Sequence, residues 1–160
     1  MLERAIARRR TNPTHQYALL YIDIDQFKIV NDTFGHTAGD ELIRQISACL
    51  QTSIHINDTV ARLGGDEFGL LLSNCDADRA TDIAEVIRAT VEGYRFEWQH
   101  HVQAVTASIG IVMLDRDNAT VGALLSAADV ACFAAKDMGR NRFHLYREGD
   151  AGVRHQEMHW

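Results

Sequence analysis

The segment Thr59-Val-Ala-Arg-Leu-Gly-Gly-Asp-Glu-Phe-Gly-Leu-Leu-Leu72 decides the fold, because it predicts two strands joined by a tight turn. Residues 59–63 and 68–72 are strand-like runs, and the pair Gly64-Gly65 between them favours a β-hairpin. Two acids, Asp66 and Glu67, follow the glycines directly. Acids are common in turns for reasons of solvation, so the hairpin alone leaves open whether they bind anything.

A second buried strand lies upstream of the hairpin. Residues 18–24 form a short, almost wholly apolar run, which is typical of a strand buried on both faces. Asp23 and Asp25 stand at its end. Each pair of acids therefore follows or joins a β element, and both pairs could meet if these strands are neighbours in one sheet.

The rest of the chain alternates helices and strands. Amphipathic periodicity predicts helices over residues 1–10, 40–50, 76–91 and 120–138, and strand patterns cover residues 102–114 and 143–146. Asn12-Pro13 ends the first helix and Gly139 the last. The third helix is predicted to bury Ile83, Val86, Ile87 and Val91. This order predicts an α/β fold with a ferredoxin-like or palm-like core, in which helices flank a central, mainly antiparallel sheet that carries the hairpin.

Composition restricts the class of protein. The chain has 160 residues, enough for one domain, and it contains no apolar run long enough to span a bilayer and no secretion signal. Its net charge of −6 argues against a nucleic-acid polymer as partner, although a local basic cluster could still hold a nucleotide. The three cysteines, Cys49, Cys75 and Cys132, show no metal-type pairing. We expect free, buried thiols and a cytoplasmic location.

The acids at the two β elements are candidate metal ligands. Carboxylates of Asp23, Asp66 and Glu67 that converge on one point would repel one another unless a cation lay between them, and hard oxygen ligands favour Mg²⁺ or Mn²⁺. Magnesium bound by one or two carboxylates and by substrate phosphates suits nucleotidyl transfer. Simple solvation of strand ends and turns remains the alternative at this point.

Two further pairs of polar residues have equally open interpretations. Lys136 and Arg140 lie one turn apart at a helix C-terminus, where they either complement the helix dipole or clamp a phosphate. Asn31 and Asp40 lie in a glycine-punctuated stretch, where capping of helices is the ordinary explanation. A carboxylate can also accept both adjacent N–H donors of the Watson–Crick edge of guanine, with Asn31 as a neighbouring contact.

Together these segments resemble the GGDEF family of diguanylate cyclases. The matching strings occur in the family's order and cover roughly residues 16–146. They are Tyr21-Ile-Asp-Ile-Asp-Gln-Phe-Lys28, Asn31-Asp32, Gly35-His36, Gly39-Asp40, Arg62-Leu-Gly-Gly-Asp-Glu-Phe68, Thr106-Ala-Ser-Ile-Gly110, Ala128-Asp129, Ala135-Lys136 and Gly139-Arg-Asn-Arg142. The full five-letter signature together with the other strings makes the resemblance specific. It favours ligand binding over a purely structural role for the acids at the two β elements, for Lys136 and Arg140, and for Asn31 and Asp40.

The resemblance implies a site with two Mg²⁺ or Mn²⁺ ions, held by Asp23, the backbone carbonyl of Ile24, and Asp66. Glu67 would be a further ligand or would help to deprotonate the attacking ribose 3′-hydroxyl. Guanine would be read by Asn31 and Asp40, and the triphosphate would be held by Lys28, Lys136 and Arg140 with backbone N–H groups around Gln26 and Phe27. Two GTP-loaded domains would meet as a transient two-fold homodimer and form cyclic di-GMP and two pyrophosphates.

The chain departs from the family pattern at the inhibitory product site. The usual Arg-x-x-Asp window reads His55-Ile-Asn-Asp58, which keeps the aspartate and lacks the arginine. We therefore expect weak or absent product inhibition through this site. A family segment that usually precedes the first helix is also missing, and we expect the chain to be a piece of a longer protein.

The resemblance implies a GGDEF domain over residues 1–147, followed by a linker or the start of a next domain over residues 148–160. The polar tail with Glu157-Met-His-Trp160 is similar to a linker that leads into an EAL phosphodiesterase domain, so EAL and sensory domains are expected in the parent protein. In such tandems a GGDEF domain can instead be a GTP-binding regulatory module of low activity. Intact Asp23, Asp66 and Glu67 favour the active cyclase.

Overall fold

A computed structural model describes residues 2–11, 15–54, 58–114 and 120–147. Three predictions lie outside these ranges: the end of the first helix at Asn12-Pro13, the inhibitory-site residue His55, and the linker over residues 148–160. In chain order, the elements are α1 (Leu2–Thr11), β1 (Tyr17–Asp25), α2 (Phe27–Phe34), α3 (His36–Thr52), β2 (Thr59–Arg62), β3 (Glu67–Ser73), α4 (Ala77–Gly93), β4 (Arg95–Trp98), β5 (His101–Ala104), β6 (Thr106–Leu114), α5 (Val121–Asp137) and β7 (Arg142–Leu145).

Within the described ranges, five strands form the central sheet, in the order β2-β3-β1-β6-β7. All neighbours are antiparallel except β6 and β7, which run parallel. Strands β4 and β5 form a separate two-stranded sheet. The predicted α/β fold with a mainly antiparallel sheet and flanking helices is thus confirmed, and the hairpin of β2 and β3 lies at one edge.

Alternation along β1 divides the core between two faces of the sheet. Leu20 and Ile22 point into a cluster with buried residues of α2, α3 and α4, whereas Tyr17 and Leu19 point into a cluster with α1 and α5. Strand β1 is buried on both faces, as its apolar run predicts. Residues 19, 21, 23 and 25 therefore share the face that carries α5.

Helix α5 packs very closely on the sheet because Gly110 of β6 has no side chain. A Cβ at Gly110 would lie 2.2 Å from the carbonyl oxygen of Ala128 and 2.3 Å from the backbone nitrogen of Cys132. Only glycine allows this approach. The close packing brings the C-terminal half of α5, including Lys136, over the end of β1.

The structure corrects several predicted elements. Helix α2 was not predicted, and α3 begins at His36 instead of residue 40. The single strand predicted over residues 102–114 is two strands in different sheets, separated by the buried Val105, and β4 was missed. Val86 is 56% exposed, because the buried stripe of α4 runs through Ala80, Ala84, Ile87 and Val91.

Across the four described ranges, we find no helix with the length and apolar character that crossing a bilayer requires.

Candidate active site

The turn of the hairpin is closed by hydrogen bonds to main-chain carbonyls. The backbone N–H groups of Leu63 and Gly64 donate to the carbonyl oxygen of Glu67, at 2.8 Å and 3.4 Å. The guanidinium of Arg62 donates to the carbonyl oxygens of Gly64 at 3.0 Å and Gly65 at 2.8 Å. Arg62 therefore bridges the carbonyls of both glycines of the turn with charge-assisted hydrogen bonds at the surface.

This turn is fixed against the end of β1, which brings the three predicted carboxylates together. The backbone N–H of Ile24 donates to the carbonyl oxygen of Asp66 at 3.0 Å, and Asp23 and Glu67 are directly opposite residues of β1 and β3. One carboxylate oxygen from each of Asp23, Asp66 and Glu67 lies within 4.8 Å of the others. The predicted convergence of these side chains is thus present.

The charges at this cluster are unbalanced. The pKa of Asp23 is raised to about 6, mainly by burial. The hydrogen bond from Lys136 opposes this rise, and neighbouring Asp66 adds to it. Burial lowers the pKa of the Lys136 ammonium, but the bond and the charge of Asp23 outweigh burial and raise it. Three carboxylates thus face one ammonium. A cluster of oxygen ligands with excess negative charge fits a hard divalent cation such as Mg²⁺ or Mn²⁺.

Tyr21 is a side-chain partner of Glu67 that the sequence pattern did not indicate. The hydroxyl of Tyr21 in β1 donates a hydrogen bond to Glu67 Oε2. Burial, and then the hydrogen bond and charge of Glu67, raise the pKa of Tyr21 well above its ordinary value. The hydroxyl therefore stays protonated, and a donor, across the neutral pH range.

A second missed residue is Asp25, whose side chain is fully buried beside the cluster. Its carboxylate accepts hydrogen bonds from the hydroxyls of Thr106 at 2.7 Å and Ser108 at 2.8 Å, and from the backbone N–H of Asn141 at 3.1 Å. Nε of Arg140 lies 4.0 Å from Asp25 Oδ1. Asp25 thus links strand β6 to the turn that carries Arg140.

That turn follows α5 in an unusual backbone conformation. Gly139, Arg140 and Asn141 have φ angles of 122°, 62° and 50°. Gly139 occupies the position after the helix that favours a left-handed residue, as predicted, whereas two successive non-glycine residues there are uncommon. The strained turn is held by the backbone bond from Asn141 to Asp25, and it presents Arg140 at the same end of α5 as Lys136.

The predicted guanine-reading residues lie within helices, so the capping interpretation is wrong. Gln26 and Gly35 occupy the N-cap positions of α2 and α3, whereas Asn31 is inside α2 and the exposed Asp40 is inside α3. Asn31 Oδ1 is buried, with no hydrogen-bond partner among the described residues. A Cβ on Gly39 would lie 1.8 Å from that oxygen, so the two helices meet at this pair.

The remaining predicted residues are placed as follows. Lys28 is exposed in the first turn of α2, and Phe27 packs partly buried against the core. Ile24 is buried at the end of β1. Asp58 of the inhibitory window accepts a hydrogen bond from the backbone N–H of Ser73 at 2.9 Å, which ties the start of β2 to the end of β3. His55 lies outside the described residues.

Comparison with known proteins identifies the family of this chain. The family described as "Diguanylate cyclase, GGDEF domain" matches residues 1–142. The chain is 44% identical over 143 residues to the probable diguanylate cyclase DgcE of Escherichia coli K12, covering 89% of this chain and 13% of that protein. It is 38% identical over 146 residues to MucR of Pseudomonas aeruginosa, a bifunctional diguanylate cyclase/cyclic di-GMP phosphodiesterase, covering 91% and 21%.

A solved structure shows the same fold. The GGDEF domain of TpbB, also called YfiN, from Pseudomonas aeruginosa superposes with a TM-score of 0.89 at 33% identity, over 96% of this chain and 90% of that one. The two curated relatives are much longer than the matched region, since the chain spans 13% and 21% of their lengths. The domain itself, matched over residues 1–142, belongs to the diguanylate cyclase GGDEF-domain family.

Proposed function

We propose that this chain condenses two molecules of GTP into cyclic di-GMP and two pyrophosphates. The observation that carries the proposal is the convergence of Asp23, Asp66 and Glu67 within 4.8 Å, where the turn of the hairpin meets the end of β1. The sheet and main-chain bonds hold these ligands in place before any substrate arrives. Such preorganisation is what catalysis of phosphoryl transfer requires.

Asp23 and Asp66, with the backbone carbonyl of Ile24, would hold two Mg²⁺ or Mn²⁺ ions, and Glu67 would be a further ligand or assist deprotonation. When bound, such ions neutralise triphosphate charge and acidify a ribose 3′-hydroxyl. The excess of negative charge at the three carboxylates over the Lys136 ammonium, as the described residues show it, supports this assignment. Lys136 already lies beside Asp23, at the edge of the carboxylate cluster.

The substrate would contact two groups of residues, one for guanine and one for the triphosphate. The exposed carboxylate of Asp40 offers an acceptor for the guanine N–H donors, with Asn31 as a neighbouring contact. Lys28, Lys136 and Arg140, with backbone N–H groups near Gln26 and Phe27, would hold the triphosphate. Arg140 is supported by the turn that Asp25 anchors.

One domain supplies half of the reaction centre, so two GTP-loaded domains would meet with two-fold symmetry. In each half-reaction the 3′-oxygen of one GTP bonds to the α-phosphorus of the other, the bond to the β-phosphate oxygen breaks, and pyrophosphate leaves. The 3′-proton passes to solvent, through Glu67 where that residue acts as base. We expect the initial rate per protomer to fall on dilution; a rate per protomer that is constant on dilution contradicts the dimer requirement.

The experiment is incubation with GTP and Mg²⁺ at high protein concentration, followed by chromatographic separation of nucleotides. We expect cyclic di-GMP and pyrophosphate in a ratio of one to two. Asp66→Asn and Glu67→Gln should each lower the rate at least about 100-fold, since each removes a charge that stabilises the transition state. Asp82→Asn, an exposed acid of α4, is the matched control and should leave the rate unchanged.

A second candidate function is a GTP-binding regulatory module for an attached EAL phosphodiesterase. The similarity to bifunctional MucR supports only the attachment to a phosphodiesterase, because that protein combines both activities in one chain. GTP binding without cyclic di-GMP after long incubation would support this candidate over the cyclase. The buried free thiols of Cys75 and Cys132 support a reducing, cytoplasmic setting for either function.

A further inference from the structure

We infer that Tyr21 is a positioning residue that orients the carboxylate of Glu67 for metal binding and catalysis. The inference rests on the proposed function, since it assigns a partner to one of the residues of that site. The hydroxyl of Tyr21 donates to Glu67 Oε2 across the β1–β3 pair. A carboxylate with one oxygen held in this way presents its other oxygen in a fixed direction.

The register of the sheet accounts for this contact. Asp23 is directly opposite Glu67, and Tyr21 is opposite Gly69, so Tyr21 is the diagonal neighbour of Glu67 on the same face. Diagonal neighbours in a sheet are within reach of a long aromatic side chain. The contact is therefore built into the pairing of β1 with β3 and does not depend on a loop.

Glycine lies opposite Tyr21 on both neighbouring strands. Gly69 of β3 and Gly110 of β6 are its direct partners. The space over these glycines is filled by other groups: a Cβ on Gly69 would lie 3.1 Å from Leu63 Cδ1, and one on Gly110 would lie 2.2 Å from the carbonyl oxygen of Ala128. Leu63 and α5 therefore cover the partners of Tyr21, and the contact with Glu67 rests on the strand register.

Glu67 is confined from the other side by the turn. A Cβ on Gly64 would lie 3.2 Å from Glu67 Oε2, so this oxygen lies beside the turn as well as beside the Tyr21 hydroxyl. Oε1 is left for the cation or for the attacking hydroxyl. Residues that orient a metal ligand in this way change metal affinity by about 10–100-fold when they are removed.

The test is Tyr21→Phe, with Tyr94→Phe as matched control. Tyr94 also loses a hydrogen-bonded hydroxyl, but its partner is Gln45 of α3. Mn²⁺ binding is titrated by electron paramagnetic resonance in the presence of GTP whose α- and β-phosphorus atoms are joined by a methylene group, which blocks turnover. We expect the half-saturating Mn²⁺ concentration to rise about 10-fold in Tyr21→Phe and to stay unchanged in Tyr94→Phe.

A double-mutant cycle separates positioning from a general effect on folding. In the Glu67→Gln background, Tyr21→Phe should have no further effect on Mn²⁺ half-saturation, because its action passes through Glu67. Additive effects, or wild-type Mn²⁺ binding in the single variant, would overturn the inference. Absence of cyclic di-GMP from the wild-type chain would contradict the proposed cyclase, whereas loss of Mn²⁺ affinity in Tyr21→Phe would still support the positioning role.

Discussion

The carboxylate of Asp25 accepts a hydrogen bond at 3.1 Å from the backbone N–H of Asn141, a residue 116 positions further along the chain. The same carboxylate accepts the hydroxyls of Thr106 and Ser108. Asp25→Ala would leave these donors without their acceptor in a buried site. We expect it to lower the free energy of unfolding by at least about 2 kcal/mol, measured by urea denaturation, because each buried donor left unpaired costs about 1–3 kcal/mol.

The same variant tests the support of Arg140. Without Asp25, the left-handed turn that presents Arg140 loses its anchor, so affinity for GTP with Mg²⁺ should fall together with stability. Calorimetric titration measures the affinity, and Asp82→Ala on the exposed face of α4 serves as control. GTP affinity equal to that of the wild type in folded Asp25→Ala protein would contradict a role of Asp25 in holding the turn.

Gly39 and Asn31 define a second prediction at the contact of α2 and α3. A side chain at Gly39 would place its Cβ 1.8 Å from Asn31 Oδ1 and 3.3 Å from Cε2 of Phe27. Asn31 cannot keep its position, so Gly39→Ala should weaken GTP binding at least about 10-fold, on the scale of one lost hydrogen bond to guanine. Calorimetry with GTP and Mg²⁺ measures the change.

A helical glycine with open space around it provides the matched control. A Cβ on Gly122 in the first turn of α5 meets no atom within 4 Å. Gly122→Ala should therefore preserve GTP binding, and it should raise the melting temperature slightly because alanine favours helix. If Gly39→Ala binds GTP as tightly as Gly122→Ala, Asn31 does not contribute to recognition in the orientation seen here.

The hairpin and its acids could be predicted from sequence because short-range rules determine them. A glycine pair between two apolar runs specifies a tight turn, and an apolar run before Asp23 specifies a buried strand. Asp23 then converges with Asp66 and Glu67 if the strand and the hairpin are neighbours in the sheet. Lys136 and Arg140 were recognisable by their spacing at a helix C-terminus, although the bond from Lys136 to Asp23 was not.

The missed features depend on contacts that no local pattern encodes. Tyr21 reads as one more apolar residue of a strand, and only the register of β1 with β3 brings its hydroxyl to Glu67. Asp25 reads as a second strand-end acid, and its donors come from β6 and from the turn after α5. Helix α2 has eight residues, too short for its periodicity to stand out beside the glycines that follow it.

The cysteines offer a prediction on reactivity. Burial raises the pKa of Cys75 to about 11 and that of Cys132 to about 12, whereas Cys49 is half-buried. Since the thiolate is the reactive form, these pKa values hold its fraction in the two buried thiols more than about 100-fold below that of a free cysteine. At neutral pH, iodoacetamide should alkylate Cys49 first, as measured by peptide mass spectrometry.

Denaturant supplies the control for this experiment. In guanidinium chloride the burial is lost, and the three thiols should react at similar rates. Raising the pH in the folded state should accelerate labelling of both buried thiols, because more of each becomes thiolate. Rapid labelling of Cys132 at neutral pH would show that α5 opens from the sheet far more readily than its packing indicates.

The final prediction concerns product feedback. Asp58 already has a structural partner, because its Oδ1 accepts the backbone N–H of Ser73 at 2.9 Å, and the arginine of the family's inhibitory window is replaced by His55. We expect cyclic di-GMP to inhibit weakly or not at all through this window. Asp58→Asn keeps an acceptor for Ser73 and should preserve stability, whereas Asp58→Ala should lower the free energy of unfolding by about 1 kcal/mol. Calorimetric titration of cyclic di-GMP decides the matter: micromolar binding to the wild type that disappears in Asp58→Ala and in Asp58→Asn would show that the aspartate alone sustains a product site.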